Sequence, residues 1–454
     1  MHTNINTLAT LGRCFLLILC CGVAVASEVK IKVEAEVDEV LRAGQSARVL
    51  VWLGSDGEAA RGASAEASVA ALLRAAPAIE AKILRRFQTV PAFAAELDAD
   101  DIAALRAAGM DLRIGLDVGG SGGLQQSIPL AQVTPVQLAG LDGSGRKVVI
   151  IDSGLRLDHE SFAGRIVDEA CFCTTCCPNG QTTQFGAGAA ADGHGHGTNV
   201  GGIAVGAAEV TGVPRGVASG AEIVAVRVLD QNNSFCCASD VIAAFDWVRV
   251  NHPDATVINA SLGTSARYQA NCDTSASFTI AFANVINDLR GLGVLSTISS
   301  GNNGSSLDMQ APACVASALA VGAVYDANVG SASFGSVCTA PTTAADQVTC
   351  FSNLSTTTDL LAPGAPVTAA GRGSSTGTST FSGTSMAAPM TAGCIALLKQ
   401  AVPTATTDEI EAALEASTVR LLRPPMTQDY PRLDCADALL RLAVDVFADG
   451  FELR

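Results

Sequence analysis

The stretch VVIIDSG at residues 148–154 decides the fold class of this chain. Four consecutive apolar residues lead into Asp152 and a turn, and such a run is typical of a strand that is buried on both faces of a parallel sheet. Further strand patterns alternate with helical patterns: strands are expected at 223–228, 257–259 and 294–298, helices at 241–250 and 278–289. This alternation predicts a doubly wound, mostly parallel α/β sheet with helices on both faces and functional groups at the carboxyl ends of its strands.

An earlier block at residues 28–118 contains no cysteine and has a different pattern. Strands are expected at 47–53, around 87–93 and at 111–118, and a helix over 66–76 that ends near Pro77. Asp98, with Asp101 three residues later, is typical of the start of a second helix. The block therefore predicts a small α+β domain.

The two ends of the chain and the joint between the blocks complete the expected domain organisation. Arg13, an apolar run and the small residues Ala24–Ala26 predict a secretory signal peptide at 1–26 and hence secretion. The apolar run is too short for a membrane anchor, and we expect no membrane association. A glycine-rich linker at 119–123 should connect the first domain to a larger one at 124–445, which a short tail at 446–454 follows.

Charge and cysteine content narrow the range of functions. The formal net charge of −16 argues against nucleic-acid binding, which needs a surface of Lys and Arg. Twelve of the fifteen cysteines lie at or beyond Cys171, and an even number in an exported protein predicts disulfides. Cys338 and Cys350 should close a loop, and Cys394 should be a core residue. For the run at 171–177 we expect bridges to the pair at 236–237, with a zinc site as the alternative.

Three separated segments carry residues for nucleophilic catalysis: DSG at 152–154, DGHGHGT at 192–198 and FSGTSMAAP at 381–389. A serine hydroxyl is a poor nucleophile until a base removes its proton, and an imidazole serves as that base when a carboxylate orients it. Any one of these segments alone would fit an ordinary turn or a flexible loop. Together, in the order Asp, His, Ser, they predict a catalytic triad.

With these segments and two more, NASLG at 259–263 and SGNNG at 300–304, the chain resembles the subtilase family of serine endopeptidases, its secreted proteinase-K-like members in particular. The resemblance implies that Asp152, His196 and Ser385 form the triad. It also implies that Asn302 helps to form the oxyanion hole. The main chain of Ser261, Leu262 and Gly263 would bind the substrate backbone, and residues 231–235 would form the opposite edge.

The same resemblance implies a secreted endopeptidase that is made as a self-processing zymogen. Residues 28–118 would be a ferredoxin-like inhibitory propeptide, cut off between about Leu116 and Gln125. Substrates would be proteins or peptides, the enzyme a monomer, and no cofactor would be required. Structural calcium has no support from the sequence, because Ser161 stands where many bacterial members carry an aspartate ligand, and no metal ligands are assigned. A catalytically silent binding protein and a peptide ligase are the alternatives.

Several finer expectations concern the surroundings of the triad. Asp192 should brace the histidine segment, and His159 and His252 should have no catalytic role. Ser385 should begin a helix with Pro389 in its first turn, and Met390 should be a packing residue. Residues 260–263 with Met309 and Gln310 should form the wall of a pocket for an uncharged substrate side chain.

Overall fold

A computed structural model describes residues 31–33, 35–54, 65–86, 92–116, 124–174, 176–207, 210–424 and 426–450. The chain divides into two compact units, residues 1–120 and 121–454. The predicted signal peptide and the glycine-rich linker lie outside the described residues. None of the described helices has the length and apolar character that crossing a bilayer requires.

The first unit is a five-stranded sheet with helices. In chain order its elements are β1 (Ile31–Val33), α1 (Ala35–Arg42), β2 (Ala47–Leu53), α2 (Ala65–Ala75), a 3₁₀ helix (Pro77–Lys82), β3 (Ile83–Arg86), β4 (Ala92–Leu97), α3 (Ala99–Ala107) and β5 (Leu112–Leu116). The strand order is β1-β5-β2-β4-β3, and only the β1–β5 pair is parallel. From β2 to β5 the connectivity is β-α-β-β-α-β, as in ferredoxin-like domains.

Local sequence explains the helices of this unit. The α2 helix ends at Ala75, just before Pro77, because proline cannot donate the next intrahelical hydrogen bond. At α3 the Asp98 side chain accepts from the Asp101 backbone N–H at 3.0 Å, while the Asp101 side chain accepts from the Asp98 N–H at 2.9 Å. This reciprocal capping box confirms the predicted helix start.

The second unit is built on a large sheet, with four small two-stranded sheets around it. Its described strands are β6 (Lys147–Asp152), β7 (Ile166–Phe172), β8 (Thr183–Phe185), β9 (Glu222–Arg227), β10 (Val257–Ala260), β11 (Arg267–Tyr268), β12 (Leu295–Ser299), β13 (Met309–Gln310), β14 (Leu319–Tyr325), β15 (Ala332–Ser333), β16 (Thr339–Ala340), β17 (Leu360–Ala365), β18 (Val367–Ala370), β19 (Thr378–Phe381), β20 (Arg420–Leu422) and β21 (Asp429–Pro431). Its described α-helices are α4 (Leu124–Leu130), α5 (Val133–Leu138), α6 (His196–Val205), α7 (Ala238–Asn251), α8 (Ser277–Gly291), α9 (Thr384–Ala401), α10 (Thr407–Glu415) and α11 (Cys435–Gly450).

The eight-stranded sheet has the order β17-β14-β12-β10-β6-β9-β7-β8, and every neighbouring pair is parallel except β7 with β8. Successive side chains of β6 enter different cores: Val148 and Ile150 pack with α6 and α9 on one face, Val149 and Ile151 with α7 and α8 on the other. This alternation explains the unbroken apolar run at residues 148–151, and the predicted doubly wound α/β fold is confirmed.

The cysteine pairing differs from the sequence expectation in two places. The run at 171–177 pairs within itself, as Cys171–Cys177 and Cys173–Cys176, and the adjacent residues Cys236 and Cys237 pair with each other. The expected bridges between the two groups are therefore wrong, and the sulfur atoms of the alternative zinc site are used in disulfides. Cys394 is buried but bonded to Cys435, so describing it only as a core residue was wrong.

The two other disulfides are Cys272–Cys314 and Cys338–Cys350, and the second closes the loop that the sequence indicated. At the end of the chain α11 continues to Gly450, into the segment expected to be a tail.

Candidate active site

Asp152 and His196 meet at the carboxyl end of the central strand β6. Asp152 is fully buried, and its Oδ1 lies 2.8 Å from Nδ1 of His196, the first residue of α6. The backbone N–H of Ser153 also donates to Oδ1, at 2.7 Å. An imidazole held in this way keeps its proton on Nδ1 and presents Nε2 as a base.

Glycine at positions 154 and 197 allows this close approach. A Cβ at Gly197 would lie 2.1 Å from the Gly154 carbonyl oxygen and 3.1 Å from the Asp152 Cβ. Gly154 itself has φ +97°, and a Cβ there would lie 2.3 Å from the Ala190 carbonyl oxygen. Both motifs therefore need glycine for steric reasons, which ties their sequence pattern to the geometry of the site.

The pKa of His196 results from opposing effects. Burial lowers it, but the charge of Asp152, the hydrogen bond to Asp152 and the more distant charge of Asp192 raise it, and the pKa ends above its usual 6.5. The buried imidazolium that forms during proton transfer is thus stabilised by two carboxylates.

Asp192 braces the histidine segment, as expected from the sequence. Its Oδ1 accepts hydrogen bonds from the Ser153 hydroxyl and from the backbone N–H groups of His194 and Gly195, each at 2.8 Å. Its Oδ2 accepts from the backbone N–H of Thr198 at 3.1 Å and from the Thr198 hydroxyl. One carboxylate therefore joins the segment after Asp152 to the turn before His196 and to the first turn of α6.

Ser385 is the second residue of α9 and is 8% exposed. Its hydroxyl donates to the Ser261 carbonyl oxygen at 3.4 Å, and among the described residues no hydrogen bond joins it to His196. The transfer of its proton to His196 needs a different hydrogen-bond arrangement, and such bonds commonly tighten only when substrate is present.

Pro389 is not in the first turn of α9, contrary to expectation, because the helix begins at Thr384. Proline has no N–H to donate to the carbonyl four residues earlier, which is that of Ser385. The Ser261 hydroxyl donates to this carbonyl at 2.8 Å instead, and Asn259 Nδ2 donates to the Ser261 hydroxyl at 3.0 Å. The missing helical bond is thus replaced by a contact that fixes Ser261 against the start of α9.

Asn302 is held by its side-chain oxygen. The Thr384 backbone N–H and hydroxyl donate to Asn302 Oδ1 at 2.8 and 3.0 Å. A Cβ built on Gly383 would lie 3.3 Å from Asn302 Nδ2 and 3.6 Å from the Ser385 backbone nitrogen. The space left by the missing Gly383 side chain is therefore bordered by two N–H donors, an arrangement that could hold an anionic oxygen.

A cleft of about 510 Å³ lies beside these groups. Its lining consists of Leu229, Asn233–Cys236, Ala238, Ser261–Ala266, Phe278, Ser299, Gly301, Asn302, Gln310 and Ser385. Ala260 and Met309, which were also expected in the pocket wall, do not line this cleft and are fully buried. Gln310 lies between two glycines, because a Cβ at Gly263 or Gly301 would come within 2.7 Å of its Oε1. Among the described residues that line the cleft, none has a charged side chain.

His159 and His252, for which no catalytic role was expected, have structural partners. His159 is buried, with Nε2 2.9 Å from the Gly377 carbonyl oxygen, and His252 Nε2 lies 3.1 Å from Asp168 Oδ2. Met390 is fully buried, as expected for a packing residue.

Two groups of potential metal ligands occur among the described residues. In one, Cys236 and Cys237 beside Asp240 already share a disulfide. The other combines Asp359, Glu411 and Glu415, and Arg290 forms an ion pair with Glu411. Neither group lies at the Asp152–His196 pair.

Sequence reasoning missed two residues that position the site. Thr384 holds the side chain of Asn302 through two hydrogen bonds, and its position next to Ser385 in the sequence could have indicated a role in the site. Asn353 accepts from the backbone N–H groups of Asn303 and Ser305 and so shapes the loop after Asn302. It lies about 50 residues further along the chain in an unremarkable segment, and no sequence pattern pointed to it.

Comparisons with known proteins agree with this architecture. Residues 143–434 match the model of the subtilase family. An extracellular serine proteinase of Thermus sp. is 36% identical over 272 residues, 60% of this chain and 55% of the relative, so the chain spans about half of that protein's length. An alkaline protease of Alkalihalobacillus alcalophilus is 31% identical over 355 residues, 77% of this chain and 80% of the relative.

A solved structure of a protease from Pseudoalteromonas arctica has 25% sequence identity and a TM-score of 0.55, and the match covers 71% of this chain and 95% of that one. The family match runs from before the strand that carries Asp152 to beyond the helix that carries Ser385. Because it covers more than half of the chain, this protein belongs to the subtilase family.

Proposed function

We propose that this chain is a secreted serine endopeptidase that hydrolyses peptide bonds through Asp152, His196 and Ser385. The observation that carries the proposal is the 2.8 Å contact between Asp152 Oδ1 and His196 Nδ1, formed by two motifs 44 residues apart. Ser385 lines the neighbouring cleft together with Asn302. The names of the relatives, a serine proteinase and an alkaline protease, support the same activity.

In the proposed reaction the Ser385 hydroxyl attacks the carbonyl carbon of the scissile peptide bond. His196 Nε2 takes the hydroxyl proton, while Asp152 holds the ring through Nδ1. Asn302 Nδ2 and the Ser385 backbone N–H donate to the oxyanion of the tetrahedral intermediate. His196 then gives its proton to the leaving amine, and water enters by the reverse sequence to release the acid. These steps use only groups of this chain and require no cofactor.

The substrate would bind as an extended chain along Ser261, Leu262 and Gly263, since main-chain hydrogen bonds tolerate many sequences. Its side chain next to the cleaved bond would enter the pocket beside Gln310, whose uncharged lining favours an uncharged residue. Cleavage-site mapping on a peptide library tests this preference, and a strong preference for Arg or Lys would contradict it.

Residues 28–118 would act as an inhibitory propeptide that is removed by self-cleavage between about Leu116 and Gln125. The βαββαβ connectivity of the first unit supports this role, because it provides an independent small domain ahead of the family match at residue 143. N-terminal sequencing of secreted protein tests signal removal and self-cleavage together. In a Ser385→Ala variant we expect the propeptide to stay attached.

A fluorophosphonate that modifies activated serines tests the chemistry directly. We expect wild-type protein to be labelled at Ser385, Ser385→Ala to resist labelling, and Ser336→Ala, which removes an exposed serine of another loop, to be labelled normally. Labelling of Ser385→Ala at a different residue, or no labelling of the wild type, would refute the proposed catalytic role.

A further inference from the structure

The disulfide between the adjacent residues Cys236 and Cys237 lies at the substrate cleft. Cys236 lines the same cleft as Ser385 and Asn302, and the three residues before it, Asn233–Phe235, line this cleft as well. A bond between neighbouring cysteines closes a small ring that contains their own peptide bond. This ring restricts the backbone where the cleft wall enters α7, since Cys237 is the residue that precedes the helix.

Solvent access separates this disulfide from the others. The structure describes all twelve cysteines from Cys171 onward, and among them Cys236 alone is exposed; seven are buried and four are half-buried. Attack by a thiolate on a disulfide depends on access to a sulfur atom. A mild reductant should therefore react first at Cys236.

The surrounding contacts would keep the effect of reduction local. Asp240, in the first turn of α7, accepts hydrogen bonds from the Thr174 backbone N–H at 2.9 Å and from the Thr174 hydroxyl at 3.0 Å. Thr174 lies in the segment closed by the Cys171–Cys177 disulfide, both of whose cysteines are buried. The start of α7 is thus anchored independently of the exposed disulfide, so opening the ring frees the cleft wall without releasing the helix.

We propose that the Cys236–Cys237 disulfide is a reducible wall of the substrate cleft and determines affinity for extended peptides. A dithiol reductant attacks Cys236 Sγ as a thiolate and forms a mixed disulfide, while Cys237 leaves as a thiolate and takes up a proton. The second thiol of the reductant then releases Cys236 and closes its own disulfide. Two electrons and two protons pass to the protein, and residues 236 and 237 regain backbone freedom.

This inference rests on the proposed function only for the identity of the ligand, an extended peptide, and its test needs no catalysis. The full chain carrying Ser385→Ala, with its first unit removed by a site-specific protease placed in the 119–123 segment, would be titrated with a fluorescent peptide by anisotropy. On reduction with dithiothreitol we expect Kd to rise about tenfold, which corresponds to about 1.4 kcal/mol. Alkylation and peptide mapping would establish that Cys236 and Cys237 have opened.

Two double variants in the same background separate this disulfide from the others. Cys236→Ser with Cys237→Ser should show the raised Kd without reductant and no further response to it. Cys338→Ser with Cys350→Ser removes a half-buried disulfide outside the cleft lining and should behave like the parent protein, including the response to reductant.

The proposal would be overturned if Kd stayed unchanged although peptide mapping showed alkylation of both Cys236 and Cys237. Tight peptide binding by the Cys236→Ser, Cys237→Ser protein would overturn it too. Preferential opening of another disulfide would overturn it as well. Absence of fluorophosphonate labelling in oxidised wild-type protein would instead refute the proposed catalytic function, so the two failures can be told apart.

Discussion

Replacing Asp192 by asparagine should both loosen the active site and change its pH dependence. The carboxylate joins the segments that carry Asp152 and His196, and its Oδ2 accepts from the backbone N–H and hydroxyl of Thr198. In Asp192→Asn an NH₂ group takes the place of one oxygen. If the NH₂ group replaces Oδ1, the backbone N–H groups of His194 and Gly195 lose their acceptor. If it replaces Oδ2, the backbone N–H of Thr198 loses its acceptor.

Hydrogen bonds to charged groups contribute about 1.5–3 kcal/mol each, so the loss of one predicts a decrease of about 2 kcal/mol in the free energy of unfolding. The Thr198 hydroxyl can turn and accept from the new amide, which limits the loss to the backbone bond. Urea unfolding in the Ser385→Ala background, where self-digestion cannot interfere, measures the change.

The pH effect has a definite sign. The charge of Asp192 contributes to the raised pKa of His196, so its removal lowers that pKa. Only the neutral imidazole acts as a base, and the rate of fluorophosphonate labelling rises with pH as His196 loses its proton. In Asp192→Asn with Ser385 intact, the midpoint of this rise should therefore move to lower pH.

Asp246→Asn is the matched control, because it removes the same charge from an exposed ion pair with Arg249 on α7. Such pairs contribute about 0–1 kcal/mol, so little change in stability is expected. Asp192→Asn protein with the stability and pH midpoint of the control would refute the bracing role.

Three further predictions concern single features of the second unit. Asn302→Ala should lower kcat with little change in KM, by about 10²–10³-fold if the site behaves like the known example of subtilisin; unchanged kcat would exclude an oxyanion role. Burial raises the pKa of Asp326 from 3.8 to about 6, so its charged form opposes folding, and stability should fall by about 3 kcal/mol as pH rises from about 4 to above 6. Urea unfolding of Asp326→Asn should lack this decrease, and a parallel pH profile would refute the assignment. Removing the Cys394–Cys435 disulfide by two alanine substitutions opens a loop with a sequence separation of 41 residues and should lower unfolding stability by about 4 kcal/mol; a loss below about 1 kcal/mol would contradict this.

The parts of this protein that the sequence predicted well are those where one local pattern has one physical cause. Residues 148–151 must be apolar because both faces of the central strand are buried, and Gly154 and Gly197 must lack side chains because two segments touch there. The capping box at Asp98 is equally local. Patterns of this kind are visible without knowing what lies across the fold.

Other features depend on partners that only the fold brings together. Cys394 occupies a buried helical position that any small apolar residue could fill, and nothing near it in sequence points to Cys435. The contact of the Ser261 hydroxyl with the Ser385 carbonyl depends on where α9 begins, and predicted helix ends are uncertain by a residue or two. Two-residue strands such as β11 and β13 are too short to show a period.

The distribution of cysteine gives the two units different durability once the backbone between them is cut. Residues 31–120 contain no cysteine, whereas six covalent loops close within the second unit. Digestion of a folded protein usually proceeds through its unfolded form, which cross-links make rarer. After such a cut the first unit, which has no cross-links, should be degraded faster than the second, and its loss would make the cut irreversible.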